Sequence, residues 1–340
     1  MSTEKIIPVV LLCALPASGK SESRAFLRSL PVEKSRAEFK IGFPTIQLDD
    51  YPYVEMMKFF DAELEKQGQT RPFYYSELYT FKNPYVWGVL VEMLNEDYHD
   101  VINKRTIETT TPTKWMLERL DRISASRGLP KPFENYSADV IAKLCARFDD
   151  HCGRFLKEKN DYAKSYSPER TIIIEFARGG GCGAERYPDF FPLPEPFGYQ
   201  YSLKQFCPEI LSVCAMLYIY VTPAQSFEKN LSRAPPVGWT GSTDIFHCVP
   251  DVVMHCDYGC DDFMYLLKQS DKDNTLKVPG KDGKTYYIPA GIFDNREDLT
   301  TFCRGDVSTW PKDSVEKIYA AMTKAFQGLL QQYKVIHPEM

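Results

Sequence analysis

The sequence has no stretch approaching the roughly 18 consecutive apolar residues of a membrane-crossing helix, so no membrane span is expected. It has no surplus of positive charge either: 41 Lys and Arg face 46 Asp and Glu, a net charge of −5. That balance argues against a general polyanion-binding surface and makes nucleic acid an unexpected partner. No segment is of low complexity and no internal repeat is visible, as in an ordinary folded chain. A secretion signal is not expected, because Pro8 interrupts the first apolar run and a lone basic residue, Lys5, sits beside Glu4. Without such a signal the ten cysteines are expected as free thiols and the compartment as the cytoplasm. The C-x₂-C spacing of common zinc sites is missing. His247-Cys248, His255-Cys256 and Cys260 offer soft ligands, but adjacent His-Cys pairs point apart on regular elements, and no metal is expected there.

What remains is a chain of 340 residues, 44% hydrophobic and 26% charged, long enough to bury a large core. Residues 5–13 are almost all apolar, as in a strand covered on both faces of a parallel sheet. A helix is expected from Gly19 to about Leu30, stopped by Pro31. Pro44 to Leu48 reads as a second strand, followed by helical spacing of Val54, Met57, Phe60 and Leu64. Three amphipathic helices are expected within 83–165, near 85–96, 114–127 and 137–159. Thr171 to Phe176 is the strongest strand, and Met216 to Val221 another. Leu203 to Val213 reads as one short helix, and Pro223 opens a further one to about Arg233. Residues 275–278 and 284–288 suggest a hairpin, and 312–333 a final helix. Strands alternating with helices make the class α/β with a parallel sheet. The expected organisation is one domain over 1–340. In it, 83–165 is a helical insertion, 223–245 a candidate lid, and 270–340 a hairpin with the C-terminal helix.

Between the first strand and helix stands Ala14-Leu15-Pro16-Ala17-Ser18-Gly19-Lys20-Ser21, which fits G-x-x-x-x-G-K-[ST] except for Ala14 in the first position. Such a loop can curl the N–H groups of Ala17, Ser18, Gly19 and Lys20 round a phosphate, assisted by the positive end of the following helix. Lys20 would reach the β- and γ-phosphates, and the Ser21 hydroxyl would ligate Mg²⁺. The nucleotide-contacting set is therefore Ala17, Ser18, Gly19, Lys20, Ser21 and Glu22. Ala14 is the departure, since glycine there would be free to take a positive φ.

In an open parallel sheet, ligands bind beyond the carboxyl ends of the strands. Two more strand ends carry polar groups, Asp49-Asp50 and Glu175 with Arg178. A carboxylate placed like Glu175 can order Mg²⁺ and its waters, and an arginine can offset charge developing on phosphate. Ser226 to Arg233, leading into a Pro/Gly-rich stretch, suits a lid that excludes water or a solvated helix face. The aromatic stretches 51–85 and 187–206 suit either a planar substrate or a core.

With these residues in view, the chain resembles the P-loop kinases of small molecules, uridine kinase and pantothenate kinase being the nearest analogies. The resemblance implies a three-layer P-loop NTPase fold, ATP and Mg²⁺. An Asp-Asp-[Phe/Tyr] after the second strand activates the acceptor hydroxyl in that family; the role falls here on Asp49, with Asp50 as second choice. The family's lid arginine maps on Arg233, and Lys229 is an alternative. Glu175 stands where an Asp is usual. The implied activity is transfer of a γ-phosphoryl group to a hydroxyl of a small metabolite, a nucleoside among the candidates. The rivals are a P-loop ATPase or nucleotide-driven switch, and a non-catalytic nucleotide-binding protein. The guanine-reading Asn-Lys-x-Asp is missing, which weighs against a GTPase.

Overall fold

The structure is a computed structural model that describes residues 5–180, 191–233 and 248–338. Its contacts divide the chain into two compact units: Met1–Thr45 with Glu169–Met340, and Ile46–Pro168. The elements begin with β1 (Val9–Ala14), α1 (Lys20–Ser29) and the short α2 (Val32–Lys34). The second unit holds β2 (Ile46–Asp49), α3 (Tyr51–Lys66), α4 (Val86–Ile102), α5 (Pro112–Ser126) and α6 (Ala138–Ser165). The chain then returns through β3 (Ile172–Phe176), α7 (Gly198–Leu203), α8 (Pro208–Leu211), β4 (Cys214–Tyr220) and α9 (Pro223–Leu231). It closes with α10 (Asp251–Asp257), α11 (Phe263–Gln269), β5 (Thr275–Pro279), β6 (Thr285–Asp294) and α12 (Lys312–Ile336).

In the first unit the strand order is β3-β1-β4-β6-β5. β1 pairs in parallel with β3 on one side and β4 on the other, and β4 pairs in parallel with β6. Every residue of β1 is buried, which explains its unbroken apolar run. Val10, Leu12 and Ala14 face Phe26 and Leu27 of α1 and Ile318, Met322, Phe326 and Leu329 of α12. Burying each such α12 side chain is worth about 1.5–3 kcal/mol. The opposite face carries Phe176 and Tyr218, which meet Tyr199 of α7 and Phe263 of α11 at ring separations of 5.6 and 3.9 Å. Helices thus cover both faces of an α/β sheet.

Three segments differ from the sequence reading. Of the expected single helix over 203–213 only α8 is helical, α7 having ended at Leu203, because Pro208 cannot donate to a preceding turn and starts a new one. The second hairpin strand runs on to Asp294. Its pairs with β5 cover Thr285–Pro289 antiparallel, and those with β4 cover Ala290–Asp294 in parallel. Pro289 sits at this change of partner, where a missing N–H is tolerated. Helices α10 and α11 were not expected. Among the cysteines, eight of the described ones are free, whereas Cys256 is disulfide-bonded, which departs from the expectation of free thiols throughout.

The second unit is built around aromatic residues that the sequence left between pocket and core. Tyr53, Phe60, Phe73, Tyr74 and Phe81 are buried. Phe60 meets Phe133 and Phe148 edge-on at 5.8 and 5.4 Å. Half of the aromatics in 51–85 are thus core, while Tyr51, Phe59, Tyr75, Tyr79 and Tyr85 are exposed. No helix among the described residues is long and apolar enough to cross a membrane.

Candidate functional site

The loop after β1 leaves the sheet at a topological switch point, since the chain places β3 on one side of β1 and later β4 on the other. Ala14 is the last residue of β1, in register with Ile219, so the departure from glycine falls on extended backbone that alanine adopts without strain. The positive φ values fall instead on Ala17 (57°) and Gly19 (99°). A Cβ at Gly19 would also collide with Thr300 Oγ1 and Asn295 Nδ2, so glycine is required there twice over.

The loop is held by its carbonyls. Tyr199 donates its hydroxyl to Ala14 O at 3.2 Å, Ser18 donates to Leu15 O, and Ser226 to Pro16 O at 2.7 Å. Asn295 Nδ2 donates to Ser18 O at 2.7 Å. Asn295, Tyr199 and Ser226 are all fully buried. With its carbonyls turned into the protein, the loop runs into α1, whose first-turn N–H groups have no acceptor within the helix. Gly19 provides no side-chain cap, Lys20 is half-buried and Ser21 is exposed. This arrangement suits an anion, and the residues present fit a polyphosphate.

Glu22, in the first turn of α1, is 7% exposed and joins two guanidinium groups: Arg304 Nε at 2.7 Å and Arg233 Nη2 at 3.5 Å. Arg233, which follows α9, therefore lies at the start of α1; burial lowers its pKa from the usual arginine range. Lys229 pairs with Asp298 at 3.1 Å instead. Residues 234–245 of the expected lid lie outside the described residues, as does His247. Glu175 is buried on the α1 face of the sheet and is ion-paired with Arg24. Arg178, 2% exposed, donates from Nε to Ser202 Oγ at 3.0 Å and stacks on Phe176 at 5.3 Å. Near Cys13 and Tyr199, Asp261 accepts the Tyr218 hydroxyl at 2.6 Å, and burial raises its carboxyl to about 7.

The remaining His and Cys residues of the soft-ligand group engage separate partners. Cys248 contacts Asn230, His255 packs on Phe227, and Cys260 Sγ reaches Gly180 O.

Asp49 and Asp50 belong to the second unit, and there they diverge. Asp50 is 7% exposed and caps α3 by its backbone, its carbonyl accepting from Tyr53 and Val54. Asp49 Oδ1 accepts from Tyr51 N at 2.9 Å, and Asp49 lines a cavity of about 160 Å³ with Gln47, Asp97, Phe155, Glu158, Lys159 and Tyr162. Behind this wall lies a buried ionic network. Lys159 Nζ contacts Asp97 at 3.1 Å and also Asp100, while Arg119 binds Asp97 at 2.8 Å and Glu96 at 2.9 Å. Burial alone would raise the Asp97 carboxyl, but Arg119 and Lys159 outweigh it and hold it below the usual range. A second cavity, about 360 Å³, has Lys131 as its one ionisable side chain besides Tyr136 and so offers little acid–base chemistry.

Sequence reasoning missed Asn295, Thr300, Arg304, Tyr199 and Asp261. Their separations from the loop run to hundreds of residues, and none sits in a local pattern that marks it. Comparisons with protein-family models, with curated proteins and with solved structures give no significant match.

Proposed function

We propose that this protein is a cytoplasmic, ATP-dependent kinase that moves a γ-phosphoryl group to a hydroxyl of a small metabolite. The observation that carries the reading is the loop 14–21, set at the switch point of the sheet with its carbonyls tied back and the start of α1 open. Lys20 would hold the β- and γ-phosphate oxygens, and the N–H groups of Ala17 to Lys20 would line the cradle. Arg233 and Arg304, held near the helix start by Glu22, are the guanidinium groups able to exchange that carboxylate for phosphate oxygens.

Mg²⁺ would be held by Ser21, and it supplies neutralisation of phosphate charge. Glu175, the other residue expected to hold Mg²⁺, is ion-paired with Arg24 and would have to share its carboxylate between the two. Asp49 is the favoured base, because its carboxylate lines a cavity that can take an acceptor. In the transfer, the acceptor O–H proton passes to Asp49 and the freed oxygen bonds the γ-phosphorus. The bond from that phosphorus to the bridging oxygen breaks, and ADP leaves with the electron pair.

The test is ATP binding and phosphoryl transfer against a panel of nucleosides, sugars and amino alcohols. Lys20→Ala is expected to abolish nucleotide binding or turnover. Unchanged affinity and activity in that variant would sink the assignment of the loop. ATP hydrolysis with no phosphorylated acceptor would favour an ATPase instead.

A further inference from the structure

The cavity beside Asp49 has a charge that selects among acceptors. Its wall carries the carboxylates of Asp49 and Glu158, and a third, Asp97, whose charge is already taken up by Arg119 and Lys159. Lys159 is 5% exposed, and its ammonium is already engaged by Asp97 and Asp100. It is therefore a poor anchor for an anion, though it can still donate one hydrogen bond to a hydroxyl. Glu158 accepts from the Tyr162 hydroxyl at 3.1 Å and is otherwise exposed to the cavity side of α6. Phe155 and Tyr162 add aromatic rings, whose faces attract cations. A volume of about 160 Å³ accommodates on the order of ten waters, and so a molecule up to about the size of a monosaccharide.

We propose that this cavity binds a small hydroxylated organic cation, an amino sugar or amino alcohol, and rejects carboxylated or phosphorylated analogues. The proposal rests on the kinase reading in taking Asp49 as the base, but its charge preference does not depend on nucleotide. A carboxylate on the ligand would face a negative wall with its solvent partly removed, where like charges repel more strongly than in water. An ammonium at the same position gains from Asp49, Glu158 and the two rings.

The experiment is calorimetric titration of the full chain, without nucleotide, with two charge series of matched shape. One is glucosamine, glucose and glucuronate; the other is serinol, glycerol and glycerate. In at least one series the cation is expected to bind at least about tenfold tighter than its neutral counterpart, and the anion not detectably. Glu158→Gln, at an exposed position that the fold does not need, should shrink the cation's advantage about threefold or more. Lys20→Ala should leave the binding unchanged, which separates failure of this proposal from failure of the phosphate loop. Equal binding of neutral and cationic members in both series, preference for an anion, or no binding by any member would overturn it.

Discussion

At the scale of single residues, the loop after β1 concentrates its backbone strain at Ala17 and Gly19 rather than at Ala14. Replacing Gly19 by alanine forces a side chain into left-handed backbone at about 1–2 kcal/mol. It also drives a Cβ into Thr300 and Asn295. Gly19→Ala should lower the melting temperature by several degrees and weaken nucleotide binding together; an unchanged melting curve would mean the loop has another conformation. The neighbours Asp49 and Asp50 separate equally clearly. Asp49→Asn should cut phosphoryl transfer about 10²–10⁴-fold with ATP binding retained, because an amide cannot take the acceptor proton. Asp50→Asn, at a buried side chain away from the cavity lining, should leave phosphoryl transfer within about tenfold of the parent, and a kinetic assay of the pair decides between them. The motif itself was legible because it is local, eight residues in a row. Asn295 and Arg304 were not, since only the return of the chain after β6 brings them against Ser18 and Glu22.

At the scale of elements, α3, α4, α5 and α6 are laced together by the network of Tyr53, Asp97, Asp100, Arg119 and Lys159. Removing one member leaves a buried charge without its partner, typically at about 3–5 kcal/mol. Arg119→Met should therefore destabilise the protein by about that amount in denaturant titration. A shift under 1 kcal/mol would show that water already reaches Asp97. The helical periods of α4 and α6 were readable from their apolar stripes. Their ends, at Ile102 and Ser165, run beyond the expected 96 and 159 because Tyr98, Val101 and Ala163 continue the buried faces and Asp100 pairs with Lys159. The hairpin after Thr275 was likewise seen, but not that β6 continues into the parallel sheet. Local alternation ends at Pro289, and only the neighbouring β4 supplies the acceptors and donors for Ala290–Asp294.

At the scale of the whole molecule, stability is expected to depend on pH through buried acids. Burial raises the carboxyls of Asp61, Asp257 and Asp261 to about 7. The folded chain then holds protons that the unfolded chain releases above about pH 4. The stability these groups contribute is fully present below that value and is lost as pH rises through 7. Asp97, held low by Arg119 and Lys159, works in the other direction: its contribution is present above its unfolded pKa and is lost as pH falls through its depressed folded one. The melting temperature at constant ionic strength should fall from pH 6 to pH 8, and Asp257→Asn should flatten that slope; a flat or rising curve in the parent chain would contradict the burial of these acids. The sequence alone determined the α/β class, the central apolar strand and the Gly-Lys-Ser turn into α1, because each depends on residues adjacent in the chain. Only the tertiary structure decided how the loop is braced, which of two neighbouring aspartates meets a cavity, and what charge that cavity presents. Those properties depend on contacts between distant segments, where burial sets both geometry and electrostatics.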